Sequence, residues 1–344
     1  MAAMDRIPVH VISGFLGSGK TTLLKQILHG EAFGDSAVLV NEFGEVGLDH
    51  LLLGALDHEP ILLKSGCVCC NIRGELVDAL KTLLAQRDAG EIPQFKRIIL
   101  ETTGLADPAP ILSTLVAEPI LNKHLRHGAS VGLVDAINAE SSHKSYPVWT
   151  DQVAAADRIL ISKSDIASED QLARARAIIG SINPAAQILD PKEVLYALND
   201  LFLDAGATQG WKATGVREWL GLTLPTTPYR KHLDSIVSFR LKLEGRIDWT
   251  CLGIWLSMLL DQRGQNILRV EGVLHTDSSP YPVILHGVQH AVYPPEHISH
   301  WPEDDTTSYL VFITREISAA AMRDSLQAFL ENLSDLDAPK ISYS

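Results

Sequence analysis

A glycine-rich segment near the start of the chain restricts the possible folds more than any other feature. Residues 14–21 read Gly-Phe-Leu-Gly-Ser-Gly-Lys-Thr and stand between an apolar run and a helix-like stretch. Glycines let the backbone curl tightly, so that several N–H groups converge on a phosphate at a helix N-terminus. We expect Lys20 to reach the terminal phosphates and to support catalysis, and the Thr21 hydroxyl to bind Mg²⁺. The residues assigned to phosphate binding are Gly14, Gly17, Ser18, Gly19, Lys20, Thr21 and Thr22.

The order of apolar and helical segments predicts two domains. In the first 200 residues, short apolar runs alternate with helical patterns, which is typical of a mostly parallel sheet covered by helices on both faces. Strands are predicted at residues 9–12, 37–40, 97–100, 131–134, 158–161, 235–243, 267–274, 281–290 and 308–314. Helical patterns at 248–261 and 319–333 indicate a smaller, ferredoxin-like α+β domain after the first. We predict an α/β P-loop NTPase domain at 1–210, a linker at 211–232 and the α+β domain at 233–344.

Composition narrows the classes of function. The formal net charge of −13 argues against nucleic acid or an anionic membrane as a partner, because both attract positive surfaces. No apolar run approaches the roughly 20 residues of a membrane-spanning helix, and residues 1–8 lack the apolar core of a secretory signal. We therefore expect a cytoplasmic protein.

Two further segments have the residue types that a P-loop site requires. Glu101 ends a predicted strand, where it can hold a metal-bound water and assist catalysis, and the Gly104 amide can approach the γ-phosphate. The alternative is a glutamate that only caps a helix. Asp165 can accept two hydrogen bonds from guanine, which adenine cannot donate, and the stem of Lys163 can lie along the base plane. The alternative for this segment is a solvated loop.

An acidic stretch follows the second predicted strand, where nucleotide-sensing switches lie in GTPases. Glu42, Glu45 and Asp49 are candidates for binding Mg²⁺, orienting water or contacting a second metal. Glu42 is the candidate for the group that positions the hydrolytic water. A merely solvated acidic loop is the alternative.

Three of the four cysteines lie close together, in Gly66-Cys67-Val68-Cys69-Cys70. Thiolates before a helix N-terminus are stabilised there and bind borderline or soft ions such as Zn²⁺. Cys67, Cys69 and Cys70 cannot complete a tetrahedral site alone, so a further ligand would be needed, and such an open site suits transfer of the ion. A redox-active pair and inert buried cysteines remain as alternatives.

These motifs in this order resemble the CobW-like family of P-loop GTPases, whose members act as metal chaperones or insertases. The resemblance rests on residues 14–22, 41–46 (Asn-Glu-Phe-Gly-Glu-Val), 66–70 and 101–108 (Glu-Thr-Thr-Gly-Leu-Ala-Asp-Pro), and residues 268–274 with 286–290 are similar to the family's second domain. It implies that GTP with Mg²⁺ orders a metal site at the cysteines. It also implies that slow hydrolysis releases the ion, Zn²⁺ or else Co²⁺ or Fe²⁺, to a client metalloprotein.

The sequence departs from the family pattern in two places. Ser162 stands where the guanine-recognising motif usually has Asn or Thr, and the chain has no histidine-rich tract. Two histidine pairs have spacings that could place both side chains on the same face: His286 with His290, and His297 with His300. Ordinary hydrogen-bonded histidines are nevertheless the favoured interpretation. Besides a GTPase metallochaperone, two hypotheses stay open: a regulatory GTP switch without metal delivery, and an ATP-dependent small-molecule kinase.

Overall fold

The computed structural model describes residues 6–29, 33–41, 61–63, 72–189, 201–202, 236–298, 301 and 306–343. The chain divides into two compact units, Met1–Ala175 with Ile188–Ala205, and Arg176–Gln187 with Gly206–Ser344. This division cuts through the helix Glu169–Ile182 and the strand Gln187–Leu189, which we assign to the first unit because that strand belongs to its sheet. The domain boundaries predicted around residues 210 and 233 lie outside the described residues and stay predictions. Within the described ranges, no helix has the length and apolar character needed to cross a bilayer.

The first unit is built on a seven-stranded sheet in the order β3-β2-β4-β1-β5-β6-β7. Its strands are β1 (Ile7–Gly14), β2 (Ser36–Asn41), β3 (Ile61–Leu63), β4 (Arg97–Glu101), β5 (Leu125–Asp135), β6 (Arg158–Ser162) and β7 (Gln187–Leu189). Neighbouring strands from β3 to β6 pair in parallel. The carboxyl ends of these six strands therefore meet at one edge of the sheet, which is where ligands bind in open α/β sheets.

The helices of this unit connect successive parallel strands. They are α1 (Lys20–His29), α2 (Ile72–Ala89), α3 (Ala109–Ala117), α4 (Pro119–His124), α5 (Ala139–Ser145), α6 (Pro147–Ala155) and α7 (Glu169–Ile182). Parallel strands need such crossover connections, because a tight turn reverses the chain direction. The predicted α/β class of this unit is thus confirmed.

The central strand and the first helix hold the glycine-rich segment from both sides. Val9, Val11 and Ile12 of β1 are fully buried, as expected for a strand covered on both faces. Leu23, Leu24 and Ile27 place one face of α1 in the same apolar core, in which Ile12 takes part. The loop between β1 and α1 is therefore anchored at both ends.

The second unit contains an antiparallel sheet in the order β11-β10-β9-β13-β8-β14, with β12 beside β10. Its elements are β8 (Ile236–Glu244), α8 (Trp249–Arg263), β9 (Ile267–Leu274), β10 (Val283–Val288), β11 (Ala291–Val292), β12 (Glu296–His297), β13 (Ser308–Arg315), α9 (Ala319–Leu333) and β14 (Lys340–Tyr343). The path β8-α8-β9-β13-α9-β14, with neighbours β14-β8-β13-β9 all antiparallel, has ferredoxin-like topology. The predicted fold of this unit is confirmed, with β10 to β12 inserted between β9 and β13.

One predicted strand in this unit is too long. The pattern at residues 281–290 predicted a single strand, whereas β10 ends at Val288. Gln289 has a φ of 49°, in the left-handed region that interrupts a strand. The chain turns there and returns as β11, which pairs with β10.

Candidate nucleotide site and metal centre

The backbone of the glycine-rich loop has the conformation that a phosphate cradle requires. Gly14, Gly17 and Gly19 have φ angles of 145°, 71° and 94°, which side chains rarely allow. At Gly14 a Cβ atom would lie 2.6 Å from the carbonyl oxygen of Leu133, so glycine is also required by space. The three predicted glycines therefore have conformational roles in the loop.

Lys20 lies at the start of α1 and curls back over the loop. Its Nζ donates hydrogen bonds to the carbonyl oxygens of Gly14 at 2.8 Å and Phe15 at 3.2 Å. Burial lowers the pKa of Lys20, and the nearby Glu101 carboxylate opposes that shift. Among the described residues, the ammonium group donates its hydrogen bonds to these two carbonyl oxygens, so it can turn to phosphate oxygens, which are stronger acceptors.

Thr21, at the start of α1, and Glu101, at the end of β4, lie in contact although they are distant in the sequence. The Thr21 hydroxyl donates to Glu101 Oε1 at 3.3 Å, because β4 runs parallel to β1 with Glu101 paired to Ile12. Glu101 itself is 5% exposed. A hydroxyl and a carboxylate next to a phosphate cradle are the hard oxygen donors that Mg²⁺ takes, so these residues fit the expected ion.

The remaining loop residues occupy positions consistent with the assignment. Ser18 is buried, and its Oγ atom has no hydrogen-bond partner among the described residues. Thr22 is exposed on α1. A buried hydroxyl without a partner inside a phosphate cradle is satisfied once an anion accepts a hydrogen bond from it.

Gly104 packs directly against the glycine-rich loop. A Cβ atom at this position would lie 2.6 Å from Leu16 Cδ2 and 2.8 Å from the Leu16 backbone nitrogen. The buried Gln152 of α6 fixes the segment from the other side, because its Nε2 donates to the carbonyl oxygens of Gly104 at 3.2 Å and Ala106 at 3.0 Å. The segment after Glu101 is thus held beside the phosphate cradle.

The predicted base-recognition segment follows β6 at the same edge of the sheet. Asp165 is exposed, as a carboxylate that binds a base from solution must be. Lys163 has a φ of 57°, and its Nζ lies 2.7 Å from Asp135 Oδ2 at the end of β5. Burial would raise the pKa of Asp135, but the hydrogen bonds from Lys163, Asn138 and Ile137 outweigh it and lower the pKa. The lysine is therefore held by an ionised carboxylate.

Two of the residues that organise this edge were not predicted. Asp135 ends a buried strand at the same edge as Glu101, and that position is a signal from which it could have been found. Gln152 lies within a short helix and carries no such signal, since its role depends on which carbonyl groups the fold brings beside it.

Four predicted site residues lie outside the described residues: Glu42, Cys67, Cys69 and Cys70. Their roles stay predictions. The same holds for Glu45, Asp49 and His300.

The described histidines of the second unit have separate partners. His286 Nε2 lies 3.7 Å from Glu271 Oε1, whereas His290 Nδ1 lies 2.9 Å from the carbonyl oxygen of Leu260. His297 Nδ1 contacts Ser279 Oγ at 3.2 Å. The turn after β10 separates His286 from His290. His290 and His297 form ordinary hydrogen bonds, whereas His286 lies at ion-pair distance from Glu271.

The fold and site define a P-loop nucleotide-binding protein with a ferredoxin-like second unit. Residues 8–190 match the CobW/HypB/UreG nucleotide-binding domain, and residues 236–330 match the cobalamin synthesis protein cobW C-terminal domain. The chain belongs to the CobW family, as its motifs predicted.

Individual relatives are similar in sequence to more than half of this chain. The zinc chaperone YjiA of Escherichia coli is 32% identical over 321 residues, covering 93% of this chain and 98% of that protein. The zinc-regulated GTPase metalloprotein activator 1 of Schizosaccharomyces pombe is 31% identical over 196 residues, which span 55% of this chain and 46% of the relative. The crystal structure of the Zn(II)-bound YjiA GTPase from E. coli superposes with a TM-score of 0.68 at 26% identity, covering 95% of this chain and 99% of that one. The predicted GTPase activity and the predicted ligands GTP and zinc agree with these names.

Proposed function

We propose that this chain is a GTP-dependent metallochaperone. It binds GTP with Mg²⁺ in the first unit, binds a transition metal ion, Zn²⁺ foremost, at Cys67, Cys69 and Cys70, and hydrolyses GTP slowly to deliver the ion to a client metalloprotein. We place this activity in the cytoplasm, where thiols stay reduced and available to a metal.

The proposal that the first unit binds GTP with Mg²⁺ rests on the contact between Thr21 and Glu101. The two side chains are 3.3 Å apart, beside the buried Lys20. A cation for the terminal phosphates, a hydroxyl and a carboxylate for Mg²⁺ are thereby present at one point. Thr21 and Glu101 would hold Mg²⁺ there, and the ion would supply neutralisation of the phosphate charge during hydrolysis. Lys20 orients the terminal phosphates, while Glu101 stays close enough to hold a water.

Guanine is favoured over adenine by the residues after β6. The exposed Asp165 carboxylate matches the two hydrogen-bond donors of guanine, and its charge would stay unsatisfied beside adenine. The ion pair with Asp135 holds the Lys163 stem where it can cover the base. Competition between GTP and ATP for a labelled guanine nucleotide tests this preference, and equal affinities would contradict it.

The connection between nucleotide and metal follows from the sheet. β3 lies parallel to β2 with Leu63 paired to Asn41, and β2 lies beside β4, which ends in Glu101. The strand that precedes the cysteines thus ends at the phosphate edge. Cys67 follows Leu63 by four residues, a length of chain that spans at most about 14 Å. Contacts made by the γ-phosphate can therefore change the geometry of the thiolate ligands.

The decisive experiment measures Zn²⁺ affinity of the full chain with a non-hydrolysable GTP analogue, with GDP and without nucleotide. Tighter binding with the GTP analogue is expected, and Cys69→Ser should abolish the difference. Cys251→Ser is the matched control, because this buried cysteine of the second unit lies outside the proposed site. Equal affinities in all three nucleotide states would overturn the coupling of metal to GTP.

Slow hydrolysis is expected because no arginine stands within residues 14–22, 41–46, 66–70 or 101–108, which we assign to the phosphates and the metal. Glu42→Ala tests the proposed water-positioning residue, and unchanged turnover would remove it from that role.

Stoichiometric transfer of Zn²⁺ to an apo-metalloprotein separates delivery from a purely regulatory switch.

A further inference from the structure

Helices α8 and α9 of the second unit border an open groove of about 470 Å³. The Cys251 thiol near the start of α8 donates to the carbonyl oxygen of Leu333 at the end of α9, at 3.1 Å. Trp255 Nε1 donates to Ser325 Oγ at 3.1 Å and joins the same helices further along. The term acidic groove denotes the surface formed by Asp248, Asp277, Asp335, Ile254, Phe329, Leu333 and Leu336.

All charged side chains that line the acidic groove among the described residues are negative. Asp248, Asp277 and Asp335 line it, and no basic side chain does so among the described residues. Asp248 accepts a hydrogen bond from the Cys251 backbone at 2.9 Å, and Asp277 accepts one from the Trp249 backbone at 3.0 Å, both at the N-terminus of α8. The positive end of the α8 dipole is offset by the negative end of α9, which terminates here. The three carboxylates therefore determine the local potential.

The pKa values of two ionisable groups at the groove are shifted in opposite directions, and only the thiol shift reflects the negative potential. The backbone hydrogen bond from Cys251 is the main cause that lowers the pKa of Asp248, so its carboxylate stays ionised at neutral pH. Burial raises the pKa of the Cys251 thiol, and the carboxylates of Asp248, Asp335 and Asp277 raise it further. The negative field thus extends to the base of the groove.

Apolar side chains lie next to these carboxylates and remain exposed. Leu333 is 59% exposed, Ile254 49% and Leu336 37%. Met258, also 49% exposed, follows Ile254 by one helical turn and so extends the apolar surface along α8. A contiguous exposed apolar surface bordered by polar groups is characteristic of an interaction site.

We propose that the acidic groove binds a segment of a partner protein in which lysine or arginine side chains stand next to apolar ones. Charge complementarity selects this occupant, because a basic segment neutralises the three carboxylates while its apolar side chains cover Leu333 and Ile254. A second copy of this chain is disfavoured, since a symmetric contact would bring two sets of three carboxylates together. The proposal does not depend on the nucleotide or the metal.

The probe is a short fluorescent helical peptide with lysine on one face and leucine on the other, titrated against the full chain. A matched peptide with glutamate in place of each lysine is the first control. The basic peptide should bind at least about ten-fold more tightly, and added salt should weaken its binding. Equal binding of the two peptides would overturn the proposal.

Variants then locate the binding site. Asp335→Lys reverses one exposed charge of the groove, and Leu333→Ala removes an exposed apolar side chain, so neither change should prevent folding. Each should weaken the basic peptide about five-fold, since a charge pair or an anchoring contact is lost. Asp261→Lys is the matched control, because it makes the same charge change at an exposed position of α8 outside the groove. An equal loss in Asp261→Lys would overturn the assignment to the groove.

Two further measurements exclude other occupants. A photo-crosslinking version of the basic peptide should attach within residues 248–258, at Asp277 or within residues 329–336, and attachment elsewhere would overturn the proposal. Light scattering tests for self-association. A dimer that Leu333→Ala dissociates would assign the groove to a second copy and would also overturn the proposal.

Discussion

The Nζ atom of Lys163 lies 2.7 Å from Oδ2 of Asp135, and this ion pair joins the ends of β5 and β6. Lys163 keeps a left-handed backbone with a φ of 57°, a conformation that costs a residue with a side chain about 1–2 kcal/mol. Its carbonyl oxygen accepts hydrogen bonds from Ile166 at 3.3 Å and Ala167 at 3.0 Å. The pair therefore holds a strained turn that presents Asp165 to solvent.

Asp135→Asn tests whether this ion pair prepares the base-recognition segment. The amide can still accept from the Ile137 backbone, but it no longer balances the charge of Lys163. We expect GTP affinity to fall about five-fold, equivalent to about 1 kcal/mol, the upper range for an ion pair with a partly exposed partner. Titration with a fluorescent guanine nucleotide measures this effect. Glu140→Gln, which breaks an exposed ion pair with Lys144, should leave the affinity unchanged. A loss of the same size in both variants would show a general charge effect instead.

Gly104→Ala should displace the glycine-rich loop. The new methyl group would lie within 3 Å of three Leu16 atoms, two of them in the backbone, so the loop must shift. We expect nucleotide affinity to fall by about ten-fold or more, because the amides of the cradle are no longer aligned on the phosphate. Isothermal titration with GDP measures the change.

The control for this substitution is Gly180→Ala in α7, where an added Cβ meets no atom within 4 Å. That change should stabilise the helix by about 0.5–1 kcal/mol and leave nucleotide binding unchanged. Normal nucleotide affinity in Gly104→Ala would show that the loop adapts to the methyl group without loss of its cradle.

Glu101→Gln should reduce GTP hydrolysis about 10- to 100-fold at low Mg²⁺, the usual effect of removing a group that orients metal-bound water. The amide keeps the size of the carboxylate and its contact with Thr21, so folding should be unaffected. Hydrolysis measured over a range of Mg²⁺ concentrations should show a raised Mg²⁺ requirement. Unchanged hydrolysis would support the alternative that Glu101 has a purely structural role.

His10 should make the first unit less stable in acid. It is buried on β1, and burial, followed by the positive charges of His127, Arg97, Arg126 and Arg158, lowers its pKa well below the ordinary value. The unfolded chain therefore binds this proton below about pH 6.5 while the folded protein does not. Stability is complete above that pH and falls by about 1.4 kcal/mol for each pH unit below it, until the folded pKa is reached.

His10→Asn separates this titration from packing. His10 Nδ1 accepts a hydrogen bond from the Ala129 backbone at 2.9 Å, and an asparagine oxygen can take the same position without titrating. Melting temperatures of the two proteins between pH 8 and pH 5 should converge as the pH falls. A constant difference over this range would mean that His10 acts through packing alone.

Much of the first unit was predictable because its signals are local. The glycines of residues 14–19, the apolar runs of the buried strands and the residues that follow them are contiguous in sequence. The predicted strand at 281–290 was too long because its periodicity continues through Gln289, whose left-handed φ ends β10. Backbone reversals of this kind depend on tertiary contacts more than on the pattern of apolar residues.

The sequence by itself determined the phosphate loop, the order of the two units, the cysteine motif and the family. Contiguous residues encode these features through their own backbone preferences and spacing. Only the tertiary structure decided that Thr21 meets Glu101 across 80 positions and that Lys163 pairs with Asp135 across 28. It also brought Asp248, Asp277 and Asp335 to one groove. The physical reason is that strand register and helix packing, which arise from contacts distant in sequence, set which side chains share a space.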